Sequence, residues 1–308
     1  MRKTALIGMI IIFMLTLVSC ANDKGVYINF ERSQPMVKTE QPNDESQRPI
    51  RIAIATVISP NETIEYYRHI AHYIAKQTGK PTILVQRKTY EELNMVMSNG
   101  EADIAFMSTG AYCAYRGLTE IELLAMVEYD NSIFYDMQII VHKDSDIYSL
   151  DDLQGKSFAF TDPLSYSGHM VVMQLLKDKK NTRPEKYFGR YIYTYSHDKS
   201  IWAVANKATE AASIDSMIVK YGMADNKDLV DKIRVIHTTG PNPTGPVVIR
   251  EKINAEQKEQ LRQVFLNMHK DSQMMPSLKG LLIDCFVVPD AAYYRPLQKI
   301  YDQTGGIT

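Results

Sequence analysis

The repeated switch of hydrophobic period after Ile50 restricts the fold of this chain more than any other feature. Arg51-Ile-Ala-Ile-Ala-Thr-Val57 is a continuous β-rich apolar run, the pattern of a buried strand. Thr63 to Thr78 carries apolar residues at Ile64, Tyr67, Ile70, Ala71 and Ile74, a helical spacing that Gly79 and Pro81 end. The alternation predicts a strand over 82–86, a helix over 90–98, a strand over 103–107, a helix over 109–115 and a strand over 121–128. Strands separated by helices need crossover connections rather than hairpins, so a mainly parallel sheet covered on both faces is expected.

Phe134 to Val141 reads as a strand leading away from this unit, and a second strand–helix series follows. It comprises strands over 157–160, 190–195, 210–214 and 233–237, with helices over 167–177, 200–206 and 216–223. A Gly/Pro-rich passage, Gly240 to Pro246, precedes a strand over 247–250, and the rest reads as helical: 254–270, a short piece near 277–282, and 291–304. The pattern predicts an α/β fold of two lobes. Lobe 1 takes 49–140 plus 240–308, lobe 2 takes 141–239, and crossovers fall near Val141 and Thr239.

The N-terminus has a different character. Arg2 and Lys3 precede an almost wholly apolar stretch from Ala5 to Val18, closed by Leu17-Val18-Ser19-Cys20. That run falls short of the ~20 residues a spanning helix needs and fits a signal peptide, expected over 1–19. The cysteine resembles the lipobox of bacterial lipoproteins, in which the thiol is acylated; the plainer alternative is a signal peptide with an incidental cysteine. Residues 20–48 are polar and aperiodic, and read as a flexible tether from a lipidated Cys20. A net charge of −1, with both signs interspersed, argues against a nucleic-acid partner. Cys113 and Cys285 lie in apolar stretches and read as free buried thiols rather than a disulfide. His69 and His72 share a helical face but lack a third ligand, so no metal and no cofactor is expected.

Two strand-to-helix junctions carry candidate chemistry. In Phe160-Thr-Asp-Pro-Leu-Ser-Tyr-Ser-Gly-His169, Ser165, Tyr166 and Ser167 fall at a helix start, where amides are unpaired and the helix dipole favours an anion. Gly168 permits close approach, and His169 offers a ring donor. Plain N-capping accounts for one of these serines only. Met107-Ser-Thr-Gly-Ala-Tyr112 repeats the plan, and two such ends describe a cleft closing on one small ligand.

At this point the sequence resembles the phosphonate/phosphite/phosphate-type periplasmic binding proteins of ABC importers. Thr161-Asp-Pro-Leu-Ser-Tyr-Ser-Gly-His169 resembles the family's Asp-Pro-x-Ser-x-Ser-Gly motif, and Gly100-Glu-Ala-Asp-Ile-Ala-Phe106 its Gly-x-x-Asp-x-Ala strand. Ser196-His-Asp-Lys-Ser-Ile-Trp-Ala-Val204, followed by Glu210 to Asp215, resembles its His-x-x-x-x-x-Ala-Val stretch and terminal acid; Asp290-Ala-Ala-Tyr-Tyr294 resembles its C-terminal Asp-x-x-Tyr. The resemblance implies a two-lobed type II binding-protein fold that hands a phosphorus oxyanion to a membrane permease. It implies that Ser165, Tyr166, Ser167 and His169 hold the oxygens from lobe 2, with Thr109 and Tyr112 facing them. Tyr66 or Tyr67 closes over the ligand, and helical phase favours Tyr66. Asp215, and less directly Asp198, fall where relatives bind an amine or an acidic O–H; as plain structure they read as a helix cap and a surface charge. The chain departs from the family at Thr209-Glu210, where glycine and aspartate are usual, and at Tyr166, which replaces a small residue.

Two other functions fit less of this pattern. A lipid-anchored sensor of the same fold would dock on a receptor instead of a permease. A hydrolase built from Ser165 or Ser167, His169 and Asp162 lacks the Gly-x-Ser-x-Gly elbow and a well-placed base, so the chain is expected not to be an enzyme.

Overall fold

The computed structural model describes residues 48–303, apart from positions 56, 59 and 226. The expected signal peptide, Cys20 and all but the last residue of the tether lie outside the described residues.

Eleven described strands form two sheets. The first contains β1 (Ile50–Ala55), β2 (Thr82–Arg87), β3 (Ile104–Phe106), β4 (Ile121–Glu128), β10 (Pro246–Arg250) and β11 (Cys285–Val287), in the order β11-β4-β10-β3-β1-β2. The second contains β5 (Phe134–His142), β6 (Ser157–Phe160), β7 (Arg190–Tyr193), β8 (Ala211–Asp215) and β9 (Ile233–Pro243), in the order β7-β6-β8-β5-β9. Both are mixed, which corrects the expectation of mainly parallel sheets. β1 pairs in parallel with β2 and β3, but β10 returns from the second sheet and inserts antiparallel between β3 and β4. In the second sheet β6 pairs in parallel with β7 and β8, while β5 is antiparallel to β8 and β9. Local pattern cannot reveal where a returning strand inserts, because it is chosen by the sheet it re-enters.

The passages between sheets also differ from the sequence reading. The chain leaves the first sheet after Glu128 and enters β5 at Phe134; it returns between Pro243 and Pro246. β5 and β9 therefore both belong to the second sheet, and the crossings lie outside Val141 and Thr239. The Gly/Pro-rich passage is partly strand: Pro243 pairs with Phe134 and Asn242 with Tyr135. Prolines are tolerated there because β9 is an edge strand. The three-residue β11, antiparallel on β4, is too short for a period to betray it.

Helices bury apolar side chains on both sheets. Ile52, Ile104 and Ile249 pack with Ile70 and Ile74 of the helix Pro60–Thr78 and with Leu261 and Phe265 of the helix Ala255–Asn267. In the second sheet Met137, Ile139, Phe158 and Phe160 pack with Val172 and Leu176 of the helix Val171–Lys180. Asp103, from the Gly-x-x-Asp stretch, is structural. Its carboxylate accepts from Arg51 N at 2.8 Å and Arg250 Nη2 at 2.5 Å, tying β1, β3 and β10 at one end. Glu210, at the atypical position, accepts from Ser157 N at 2.7 Å and joins the starts of β6 and β8. Cys113 and Cys285 are free thiols, the first buried and the second half-buried.

Candidate functional site

A cavity of about 130 Å³ lies where the carboxyl ends of β1 and β3 meet those of β6 and β8. Strand ends leave main-chain groups unpaired, so such crevices are where open α/β sheets bind ligands.

From the second sheet, the helix after β6 opens as a wide π-turn over Tyr166–Met170 and runs on through Val171–Lys180. Ser165 caps it: its Oγ accepts from Gly168 N at 3.0 Å, leaving its own O–H free to donate. Tyr166 and Ser167 occupy the first two positions, whose amides have no partner within a helix. A Cβ on Gly168 would fall 2.4 Å from Thr161 Oγ1, so only glycine lets this turn sit against β6.

From the first sheet come Ser108 and Thr109, at the start of the short helix Thr109–Ala114. Thr109 donates to Pro243 O at 2.7 Å. Tyr135 of β5 bridges the two sides, its hydroxyl interacting with those of Thr109 and Ser167; burial raises its pKa. Tyr90 also lines the cavity, and its hydroxyl has no hydrogen bond of normal geometry among the described residues.

His197 and Asp215 complete the polar wall. The Asp215 amide donates to His197 Nδ1 at 3.1 Å. An amide can only donate, so Nδ1 is the acceptor and Nε2 carries the hydrogen. Burial pulls the His197 pKa down to about 4 against the opposing pull of Asp198, which keeps the ring neutral. Asp215 Oδ1 accepts from Met217 N at 2.7 Å, the helix-cap bond. Burial pushes the Asp215 pKa up to about 7; the Met217 bond opposes the shift and Asp136 adds to it.

Of the residues singled out from sequence, Ser165, Tyr166, Ser167, Thr109 and Asp215 line the cavity. His169 does not. It is a satisfied core histidine: Nδ1 faces Pro163 O at 2.8 Å, Nε2 faces the Tyr193 hydroxyl at 3.2 Å, and the ring stands edge-on to Phe160. Tyr112 turns away to pack edge-on against Tyr294, centroids 5.0 Å apart. Tyr67, not Tyr66, lines the cavity, against Phe106 with centroids 5.3 Å apart. Tyr66 instead covers Gly280, since the helix Met275–Gly280 packs on the side that phase alone assigned to the cleft. Asp198 stands half-buried in the first turn of the helix His197–Ala205, outside the described lining. Tyr166 also packs in a core with Cys113, Tyr294 and Tyr301. His197 and Tyr135 were missed as site residues. The histidine was legible in its motif, whereas Tyr135 sits mid-strand and only the tertiary fold brings it to the cavity.

No lysine or arginine appears in the described lining. Among the described residues there is no group of three metal-binding side chains, and no helix is long and apolar enough to cross a membrane.

The fold recurs in known proteins. A solved binding-protein component of an ABC phosphonate transporter from Pseudomonas aeruginosa superposes with a TM-score of 0.76 at 24% identity, over 82% of this chain and 85% of the other. PhnD1 from Prochlorococcus marinus, solved with methylphosphonate, gives 0.76 at 15% identity over 84% and 98%. The alkanesulfonate-binding protein SsuA from Xanthomonas axonopodis pv. citri gives 0.58 at 14% identity over 84% and 94%. At these identities the likeness establishes the type II binding-protein fold. In sequence, the phosphonates-binding periplasmic protein of Escherichia coli K12 is 26% identical over 159 residues, which are 50% of this chain and 46% of that protein. The chain thus matches about half the length of that curated relative. The family model for the periplasmic substrate-binding protein of phosphonate ABC transporters matches residues 52–294, nearly the whole described body. With that match added to the two-sheet fold and the cavity at its strand ends, the chain belongs to the periplasmic phosphonate substrate-binding proteins of ABC transporters.

Proposed function

We propose that this protein captures a phosphorus oxyanion of the phosphonate, phosphite or phosphate class outside the cytoplasm and delivers it to an ABC permease, held at the membrane by acyl chains on Cys20. One observation carries the reading: neutral donors from the second sheet converge, opposite Ser108 and Thr109 of the first, on one cavity with no cationic side chain in its described lining. The Ser165 and Ser167 hydroxyls, the amides of Tyr166 and Ser167, the Tyr135 hydroxyl and His197 Nε2–H supply them. Thr109 joins once its hydroxyl turns from Pro243. Tyr112, Tyr66 and His169 take no direct part; Tyr67 forms the lid. Neutral dipoles hold a divalent anion without neutralising it, which suits a carrier that must also release its cargo.

Asp215 adds selection. A carboxyl whose pKa lies near 7 exchanges a proton with a phosphorus oxyanion, which titrates in the same range, and repels an oxyanion that carries no proton. The two sheets act as lobes that close about the passages at 129–133 and 243–246, and ligand contacts to both favour the closed arrangement.

Calorimetric titration with methylphosphonate, 2-aminoethylphosphonate, phosphite, phosphate and sulfate tests the proposal. Tight binding of a phosphorus oxyanion and none of sulfate is expected, with loss in Ser167→Ala and His197→Ala. Equal binding of sulfate would remove the role given to Asp215. Incorporation of labelled palmitate into the wild type but not Cys20→Ser tests the anchor.

A further inference from the structure

The helix Met275–Gly280 ends in an unusual way. Leu282 N donates to Lys279 O at 3.1 Å and Ile283 N to Leu278 O at 2.9 Å, the paired closure of a Schellman motif. The residue after the C-cap in that motif is left-handed, and Leu282 has φ +57°. Glycine normally takes this place because a Cβ crowds the carbonyl, and for a bulky residue the conformation is an outlier. A leucine persists there only where the packing around its side chain holds it.

It aims at the cavity. Leu282 is 5% exposed, lines the cavity and packs in one cluster with Ile58 and Ile218, which line it too. Ile58 follows β1, Ile218 lies on the helix Ser216–Asp225 after β8, and Leu282 comes from the C-terminal part of the chain. Three distant segments thus build one continuous apolar wall across both sheets, and Met217 packs against it beside Asp215. The hydroxyls and His197 supply the polar end of the same cavity.

We infer that the ligand carries a short, uncharged alkyl substituent on phosphorus, seated against the Ile58–Ile218–Leu282 wall, and that Leu282 selects for it. This rests on the reading of the cavity as a phosphorus-oxyanion site. A phosphonate with an ammonium tail fits poorly: its three hydrogens each need an acceptor, the Ile58–Ile218–Leu282 wall supplies none, and Asp215 is committed to the proton it shares with the oxyanion. Burying a cation on apolar side chains is costly, whereas an alkyl tail gains from the same burial.

Propylphosphonate and 2-aminoethylphosphonate have nearly the same size and differ in charge, so the pair isolates the wall. Calorimetry on the full chain, with phosphite and methylphosphonate as tail-free and short references, is expected to rank propylphosphonate at least about tenfold tighter than 2-aminoethylphosphonate. Leu282→Ala is expected to weaken propylphosphonate about tenfold and phosphite less than about threefold, the scale set by lost methylene contacts. Leu282→Gly removes the same side chain while relaxing the backbone, and serves if the alanine variant does not fold. Aminoethylphosphonate binding as tightly as propylphosphonate overturns the inference, as does an equal loss of phosphite and propylphosphonate in both variants; either leaves the oxyanion reading intact. Failure of all four compounds to bind the wild type overturns that reading and this inference together.

Discussion

Gly110 should be the residue through which closing and binding can be separated. A Cβ built there falls 1.9 Å from Leu164 O, 2.6 Å from Tyr166 N and 2.6 Å from the Tyr301 hydroxyl. Unstrained carbon contacts lie at about 3.5–4.0 Å. The tyrosine can swing aside, but Leu164 and Tyr166 present main chain. Their loop is fixed by Asp162, whose Oδ1 accepts Leu164 N at 2.8 Å. Gly110→Ala therefore requires more than about 1 Å of backbone movement, an overpacking cost of about 1–3 kcal/mol. That converts to roughly 5- to 150-fold in affinity. The cost arises only when the helix Thr109–Ala114 meets the 161–167 loop; with the two apart, alanine favours the helix by about 1 kcal/mol over glycine. We predict much weaker methylphosphonate binding by calorimetry, with a melting temperature of the ligand-free protein that does not fall. Unchanged affinity would refute the argument. A lowered ligand-free Tm with unchanged affinity would show the contact to be permanent rather than made on closing.

Asp162→Asn should act through a neighbouring contact. Asp162 Oδ2 accepts the Tyr90 amide at 3.2 Å, capping the helix Tyr90–Ser98 from the opposite sheet. Asparagine keeps an acceptor for Leu164 N but sets a donor against Tyr90 N–H. A loss of about 1 kcal/mol, or fivefold in affinity, is expected with faster exchange of the Tyr90 amide; unaltered exchange would count against it. His169→Ala should destabilise by about 2–4 kcal/mol in urea unfolding and leave ligand affinity within twofold, because its ring is spent on Pro163, Tyr193 and Phe160. Asp215 and His197 make opposed pH predictions. With a folded pKa raised to about 7, Asp215 binds a proton on folding and its term weakens as pH rises from 4 to 7. With a folded pKa lowered to about 4, His197 sheds a proton on folding and its term weakens as pH falls from 6.5 to 4. The slopes nearly cancel between about pH 4.5 and 6, so Asp215→Asn should expose a loss of up to about 1.4 kcal/mol per pH unit on acidification relative to wild type. A parallel pH–stability curve for that variant would show that the two groups are not so perturbed.

Much of this molecule was legible in its residues. The helix over 90–98 and the strands over 121–128 and 157–160 fall where periodicity puts them, since amphipathic spacing and caps such as Thr89 and Asn254 are local properties. The serine-rich junction at 165–167 was equally visible, because a crowd of small hydroxyl residues at a helix start exceeds what capping needs. What failed was orientation. His169 sits one turn inside the motif, and the π-turn together with the aromatic core around Phe160 rotates it away from the cavity. Phase put Tyr66 in the cleft and Tyr67 in the core, until the packing of the helix Met275–Gly280 reversed them.

Local residue pattern sets the alternation of strands and helices, the two donor-bearing strand ends and the family to which they point. These depend on neighbours within a few residues, whose energetics are fixed before the chain folds. Assembly of the whole fold sets where β10 inserts, brings Tyr135, His197 and Asp215 to the cavity with Thr109 and Ser165, and holds Leu282 in a left-handed backbone that closes an apolar wall. Those outcomes depend on contacts between segments tens to more than two hundred residues apart in the chain, where packing overrides what each segment prefers alone.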